Sequence, residues 1–154
     1  MTGGTIVCGI TESAEGRLAA ELADALGARL GLRLVLVHVV DGLPPGGDES
    51  LTARQRQRGA EVTLDALVRE LGHRTERRVV IGGRAEGLAQ VASEEGADLI
   101  VLGSRPAGLG SRNLRCTLAR ELEAETPVPV LVAPPSTRKR STRRLATAGN
   151  AAAR

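Results

Sequence analysis

The densest group of chemically capable residues in the chain is the stretch Gly103 to Asn113, GSRPAGLGSRN, in which glycines, serines and two arginines stand together. These are the parts of an anion site. Glycine lets the backbone turn its N–H groups toward a ligand, and arginine supplies a permanently charged fork that matches phosphate. The competing reading is that Gly103, Gly108 and Gly110 do no more than permit a turn. No Gly-x-x-x-x-Gly-Lys-Ser/Thr is present, so P-loop hydrolysis has no support. No Gly-x-Gly-x-x-Gly closes the first apolar run, which argues against a dehydrogenase.

The remaining reactive residue types do not assemble into a catalytic set. Cys116 stands beside Arg112 and Arg115, conditions that lower a thiol pKa, yet no resolving cysteine lies at a suitable spacing. A small residue filling space is the simpler reading of Cys116, and Cys8 alternates along an apolar run as a core residue would. His38 lies near the carboxyl end of the second apolar run, within reach of a ligand there, His73 follows Gly72 in a turn, and Asp24, Asp41 and Asp98 are scattered over separate elements. With no Ser/His/Asp arrangement and no Cys-x-x-Cys, we expect no catalytic site and no metal site.

The elements that position these residues follow from hydrophobic periodicity. Thr5 to Ile10, Leu32 to Val40, Arg78 to Ile81, Asp98 to Leu102 and Val128 to Ala133 are short runs rich in β-branched and aliphatic residues, and they predict five strands. Between them lie four amphipathic stretches. Ser13 is a candidate N-cap for the first, where Leu18, Leu22, Ala25 and Leu26 recur at helical spacing and Gly27 stands near the end. The second runs from about 48 to Leu71 and stops at Gly72, its first half weakly patterned. The third spans Glu86 to Glu95 before Gly96, and the fourth, Asn113 to Glu125, carries Leu114, Leu118 and Leu122 in one stripe.

Strands alternating with helices specify an α/β fold: a doubly wound, five-stranded parallel sheet with helices on both faces. Ligands of such sheets sit beyond the carboxyl ends of the strands where the strand order reverses, which singles out the loops after Ile10, Val40 and Leu102. A response regulator would need carboxylates at the ends of the first and third strands; those positions offer Thr11 with Glu12, and Gly82 with Gly83, so that reading fails. Pro129 cannot donate to a ladder, so the fifth strand is expected at an edge or starting after that residue. An apolar edge invites pairing, and the chain is expected to form a homodimer through Val128 to Ala133.

The chain has 154 residues, 42% hydrophobic and 25% charged, the balance of one globular domain and not of a multi-domain enzyme. Phe, Tyr and Trp are all absent, which excludes aromatic platforms for single-stranded nucleic acid. The net charge is +3, yet residues 1–135 carry 15 basic and 18 acidic side chains, and the six basic residues from Ser136 onward meet no acidic one. We therefore divide the chain into a domain, 1–135, and a disordered basic tail, 136–154, whose RKRSTRR run can contact nucleic acid nonspecifically or simply be solvated. With no long apolar segment and no charged leader, a cytoplasmic protein without membrane contact is expected.

Read together, IVCGITES before a helix, LVLVHVVD as second strand, GADLIVLGSR and the closing TPVPVLVAPP resemble the universal stress protein family over nearly all of residues 1–135. The resemblance implies a Rossmann-like fold of the adenine-nucleotide alpha-hydrolase type and a stress-response role without turnover. In ATP-binding members the signature after the fourth strand is Gly, two residues, Gly, nine residues, Gly, then Ser or Thr. Here Gly103 and Thr117 match, while Pro106 and Cys116 occupy the second and third glycine positions. Proline has no N–H for a phosphate and a cysteine side chain occupies space where backbone would approach the anion.

The resemblance places Gly9, Ile10 and Thr11 at the first turn, Val39 beside the adenine, and Leu102, Gly103, Arg105, Cys116 and Thr117 around the phosphates. Thr11 stands where ATP-binding members carry an acidic residue, so the most obvious ligand for magnesium is missing. Arg105 and Arg112 offset lost N–H donors with charge, and Gly108 with Gly110 offers a shifted nest. Two classes of function stay open: a degenerate adenine-nucleotide (ATP) pocket, or a dimeric interaction module that binds no nucleotide.

Overall fold

A computed structural model describes residues 3–11, 13–42, 49–71, 74–104 and 117–135. The elements, in chain order, are β1 (Thr5–Gly9), α1 (Ala14–Leu30), β2 (Arg33–Val40), α2 (Glu49–Leu71), β3 (Thr75–Ile81), α3 (Arg84–Glu94), β4 (Ala97–Gly103), α4 (Thr117–Glu125) and β5 (Val130–Ala133). All strands are parallel and their spatial order is β3-β2-β1-β4-β5. The chain thus walks outward from β1 to β3, then crosses back to β4 on the other side of β1. Because crossovers keep one hand, reversing the walk moves the helices to the other face.

Two cores result, one on each face. Ile6, Cys8, Leu34, Leu36 and Val101 pack with Ala19, Ala20, Ala23, Leu64 and Leu67 of α1 and α2. Val7, Val35, Val37, Ile100 and Leu102 pack with Leu88, Val91 and Leu122 of α3 and α4. Alternate residues of one strand serve opposite cores, which is why β1, β2 and β4 read as almost continuous apolar runs.

α1 departs from the leucine stripe expected of it. Its fully buried face is Gly16, Ala19, Ala20, Ala23 and Gly27, while Leu18, Leu22 and Leu26 flank it half-buried and Ala25 is exposed. Small residues let this helix approach the sheet closely, and the leucines seal its sides. Nor does the helix end near Gly27. It continues to Leu30 and stops at Gly31, whose φ of 68° is a left-handed cap, its N–H donating to the Gly27 carbonyl. At the other end Ser13 is the N-cap, its Oγ accepting from the Gly16 amide at 3.3 Å.

β3 is longer than its apolar portion, because Leu34 to Leu36 of β2 pair with Thr75, Glu76 and Arg77, polar and charged residues that hide an edge strand from periodicity. β5 is the opposite edge and begins after Pro129, whose carbonyl accepts from the Ile100 amide at 2.9 Å. Leu131 and Val132 on that edge are each 39% exposed. Residues 113–116 of the expected fourth helix, Gly72 and the segment 136–154 lie outside the described residues.

Candidate functional site

The crevice expected from the topology is present as a cavity of about 580 Å³ over the carboxyl ends of β1, β2 and β4, within the range of small-molecule sites. Gly9 to Thr11 line it from the end of β1, Val37 to Asp41 from β2, and Leu102 with Gly103 from β4. Helices close the sides: Gln55, Arg56 and Gly59 from α2, Arg84 and Leu88 from α3, and Leu118 from α4. Val37, Val39, Leu88, Leu102 and Leu118 make an apolar lining, and the polar groups are few.

Close approach of α1 shapes one wall. A Cβ on Gly16 would strike the backbone of Thr11, and one on Gly103 would come 2.7 Å from the Glu15 carbonyl oxygen. Both glycines therefore let the first turn of α1 lie against the ends of β1 and β4. Gly103 has a packing reason of its own, independent of any ligand. Gly9 has a milder one, since a Cβ there would meet Leu102 at 3.0 Å and Leu88 at 3.3 Å.

The Thr11 hydroxyl lies 2.8 Å from Ser13 Oγ, so part of its hydrogen-bonding capacity serves the cap of α1. Across the cavity Arg84 Nη2 donates to Asp41 Oδ2 at 3.3 Å, joining the first residue of α3 to the residue after β2. Both side chains are roughly half exposed. Among the described residues no group of three or more His, Cys, Asp or Glu is placed to hold a metal ion. Cys8 is buried under α1, and burial pushes its thiol up to about 12, so it stays a protonated core residue at neutral pH.

Of the nine residues that the sequence placed around a nucleotide, Gly9, Ile10, Thr11, Val39, Leu102 and Gly103 line this one cavity. Thr117 opens α4, one residue before the lining Leu118, and its side chain lies outside the described positions, as do Arg105 and Cys116. Asp41, Gln55, Arg56, Arg84 and Leu88 line the cavity without having been singled out for it. Asp41 had a signal, standing directly after the second strand at a switch-point loop. Leu88 reads as ordinary helix core, and Arg56 and Arg84 as solvated helix charges.

The fold and crevice define a doubly wound α/β domain of the kind that takes a small ligand at its switch point. The chain belongs to the universal stress protein family, which it matches over residues 4–134. It is 31% identical over 133 residues to the universal stress protein in QAH/OAS sulfhydrylase 3′region of Thermus aquaticus, covering 83% of this chain and 96% of that one. Among solved structures, a universal stress family protein from Burkholderia pseudomallei is similar with a TM-score of 0.71 and 28% identity, over 86% of this chain and 96% of the other. The universal stress protein from Archaeoglobus fulgidus in complex with dAMP shares the fold at a TM-score of 0.60 and 20% identity, covering 85% and 97%.

Proposed function

We propose that this chain binds an adenine nucleotide, ATP or a relative of it, in the crevice over β1, β2 and β4, and acts in stress response by binding without turnover. The observation that carries this reading is the cavity's composition. An apolar lining able to hold a purine is bordered by Thr11, Asp41, Arg56 and Arg84, groups able to meet ribose and phosphate. The dAMP complex of the Archaeoglobus fulgidus protein supports the reading by showing that this fold accommodates an adenine nucleotide. Gly9, Ile10, Thr11, Val39, Leu102 and Gly103 are the contacts proposed from the described cavity, with Arg105, Cys116 and Thr117 added by the resemblance.

In the same reading residues 1–135 form the binding domain of a cytoplasmic protein, and 136–154 a basic appendage that touches nucleic acid nonspecifically. Two copies pair through β5, where the exposed Leu131 and Val132 give an uncovered edge its reason. Light scattering at micromolar concentration tests the dimer. A sharp species of 16.0 kDa would remove it.

A second reading has a specific observation in its favour. Gly103, the matching glycine of the phosphate signature, is explained by its contact with Glu15, and Pro106 with Cys116 replace the other two. On that reading the domain is a dimeric interaction module. The absence of Trp and Tyr makes the test direct, because a 260 nm band must come from something bound. The protein is purified in high salt to strip nucleic acid from the tail, denatured, and its supernatant chromatographed for nucleotides. Stoichiometric adenine nucleotide is the expected result; a blank spectrum with no heat on adding ATP and magnesium would favour the interaction module.

A further inference from the structure

Resting on the nucleotide reading, we infer that Arg56 and Arg84 hold the nucleotide's phosphates from the helical sides of the crevice, in place of a signature in which Pro106 lacks a backbone N–H and Cys116 adds a side chain where glycine stands. The two arginines enter the cavity from different layers, Arg56 from α2 on the α1/α2 face and Arg84 from α3 on the other. Asp41 is the one carboxylate among the described lining residues, so two guanidinium groups against one carboxylate leave a formal excess of one positive charge. Among the described residues Arg56 has no ion-pair partner. Arg84 gives one Nη2 contact to Asp41, and a guanidinium has five N–H donors.

The surroundings favour this use of the two cations. Arginine stays charged at every working pH and presents a planar fork that matches phosphoryl oxygens, so it needs neither a glycine-rich backbone nor a metal to bind them. Asp41 then competes with phosphate for Arg84, an effect with a defined sign. It occupies one Arg84 donor at 3.3 Å and its own charge repels phosphate, so neutralising it frees that donor and removes the repulsion. A base-reading or purely structural role for the pair would give Asp41 the opposite sign.

The test is calorimetry on the full chain with adenosine, AMP and ATP, a chelator present, at low and raised salt. The tail is in every sample and cancels between variants and parent for each ligand, and raised salt screens its added pull on the charged ligands. Wild-type affinity is expected to rise from adenosine to AMP to ATP. Arg84→Gln and Arg56→Gln each lower ATP affinity about ten-fold and adenosine affinity less than about two-fold, with a shallower salt dependence. Asp41→Asn raises ATP affinity about three-fold. Circular dichroism and thermal melts of the three variants check that they fold as the parent does. Equal losses for ATP and adenosine in the arginine variants, or weaker ATP binding by Asp41→Asn, would overturn the inference while leaving the nucleotide reading intact. A wild type that binds adenosine as well as ATP would do the same, and one that binds neither overturns both.

Discussion

The two ends of the sheet both carry a cleft and several charges, and they use them differently. At the amino end lies a hollow of about 850 Å³, larger than the one at the carboxyl end. Among its charges Arg33, Glu76 and Glu95 are engaged with one another, while Arg74 has no ion pair among the described residues. Arg33 donates to Glu76 at 3.0 Å, to Glu95 at 2.6 Å and to Thr5 at 3.3 Å, while Arg78 joins Glu94 at 2.6 Å and Glu95 at 3.4 Å. Asp98 accepts from the Thr5 amide at 2.9 Å. At the carboxyl end Asp41 and Arg84 make one 3.3 Å contact, beside an apolar lining that the amino end lacks. The two hollows differ less in size than in what lines them: apolar surface beside a lightly paired arginine at the carboxyl end, an ion-pair cluster at the amino end.

The largest expected effect that breaks this comparison comes from packing at the carboxyl end. Gly103→Ala sets a Cβ against the Glu15 backbone, which must shift, and is expected to cost about 2 kcal/mol in urea unfolding. A fully stable variant would show that α1 does not press on β4 there. Next is Arg33→Met at the amino end. It leaves Glu76 unpaired and Glu95, only 18% exposed, with Arg78 alone, so a loss of about 1–2 kcal/mol is expected, between exposed and buried pairs.

By contrast Arg84→Ala removes a solvent-screened pair and should change stability by less than about 0.5 kcal/mol. A loss as large as that of Arg33→Met would mean that the two ends are built alike. The smallest effect sharpens the amino end. The Gln90 amide, and after it Arg78, hold the Glu94 carboxyl below its ordinary value of 4.5. A lowered carboxylate pKa contributes stability that is complete above 4.5 and is lost as pH falls through the folded value. Glu94→Gln should therefore lower stability slightly at neutral pH and flatten the acid limb, the difference from the parent vanishing as pH falls below the folded value, as urea titrations from neutral to acidic pH will read.

Much of the fold is legible in the residues themselves. β1, β2 and β4 stand out because both faces of each strand are covered, so nearly every residue is apolar. β3 is half hidden because an edge strand tolerates Glu76, Arg77 and Arg78, whose partners lie on β2, α2 and α3. α1 misleads in another way, since its leucines are conspicuous while its alanines and glycines do the close packing. In the crevice, the loops after Ile10, Val40 and Leu102 were readable as strand ends at a reversal of strand order, and Gly9, Thr11 and Val39 were named by the family resemblance. Arg56 and Arg84 were not, because nothing local distinguishes them from other arginines on solvated helix faces.

By itself the sequence determined the alternation of strands and helices, the family, the loss of two signature glycines and the confinement of excess positive charge to residues 136–154. Each is a local property of residue type and spacing. The tertiary structure alone decided which charges are neighbours. Arg33, Glu76 and Glu95 come together because parallel crossovers return the chain to the same end of the sheet after some tens of residues. Arg84 and Asp41 meet at the other end for the same reason, and Arg56 lines the same cavity. Whether an arginine ties the fold or faces a ligand depends on what the crossover sets beside it, and that distance is not written in the chain.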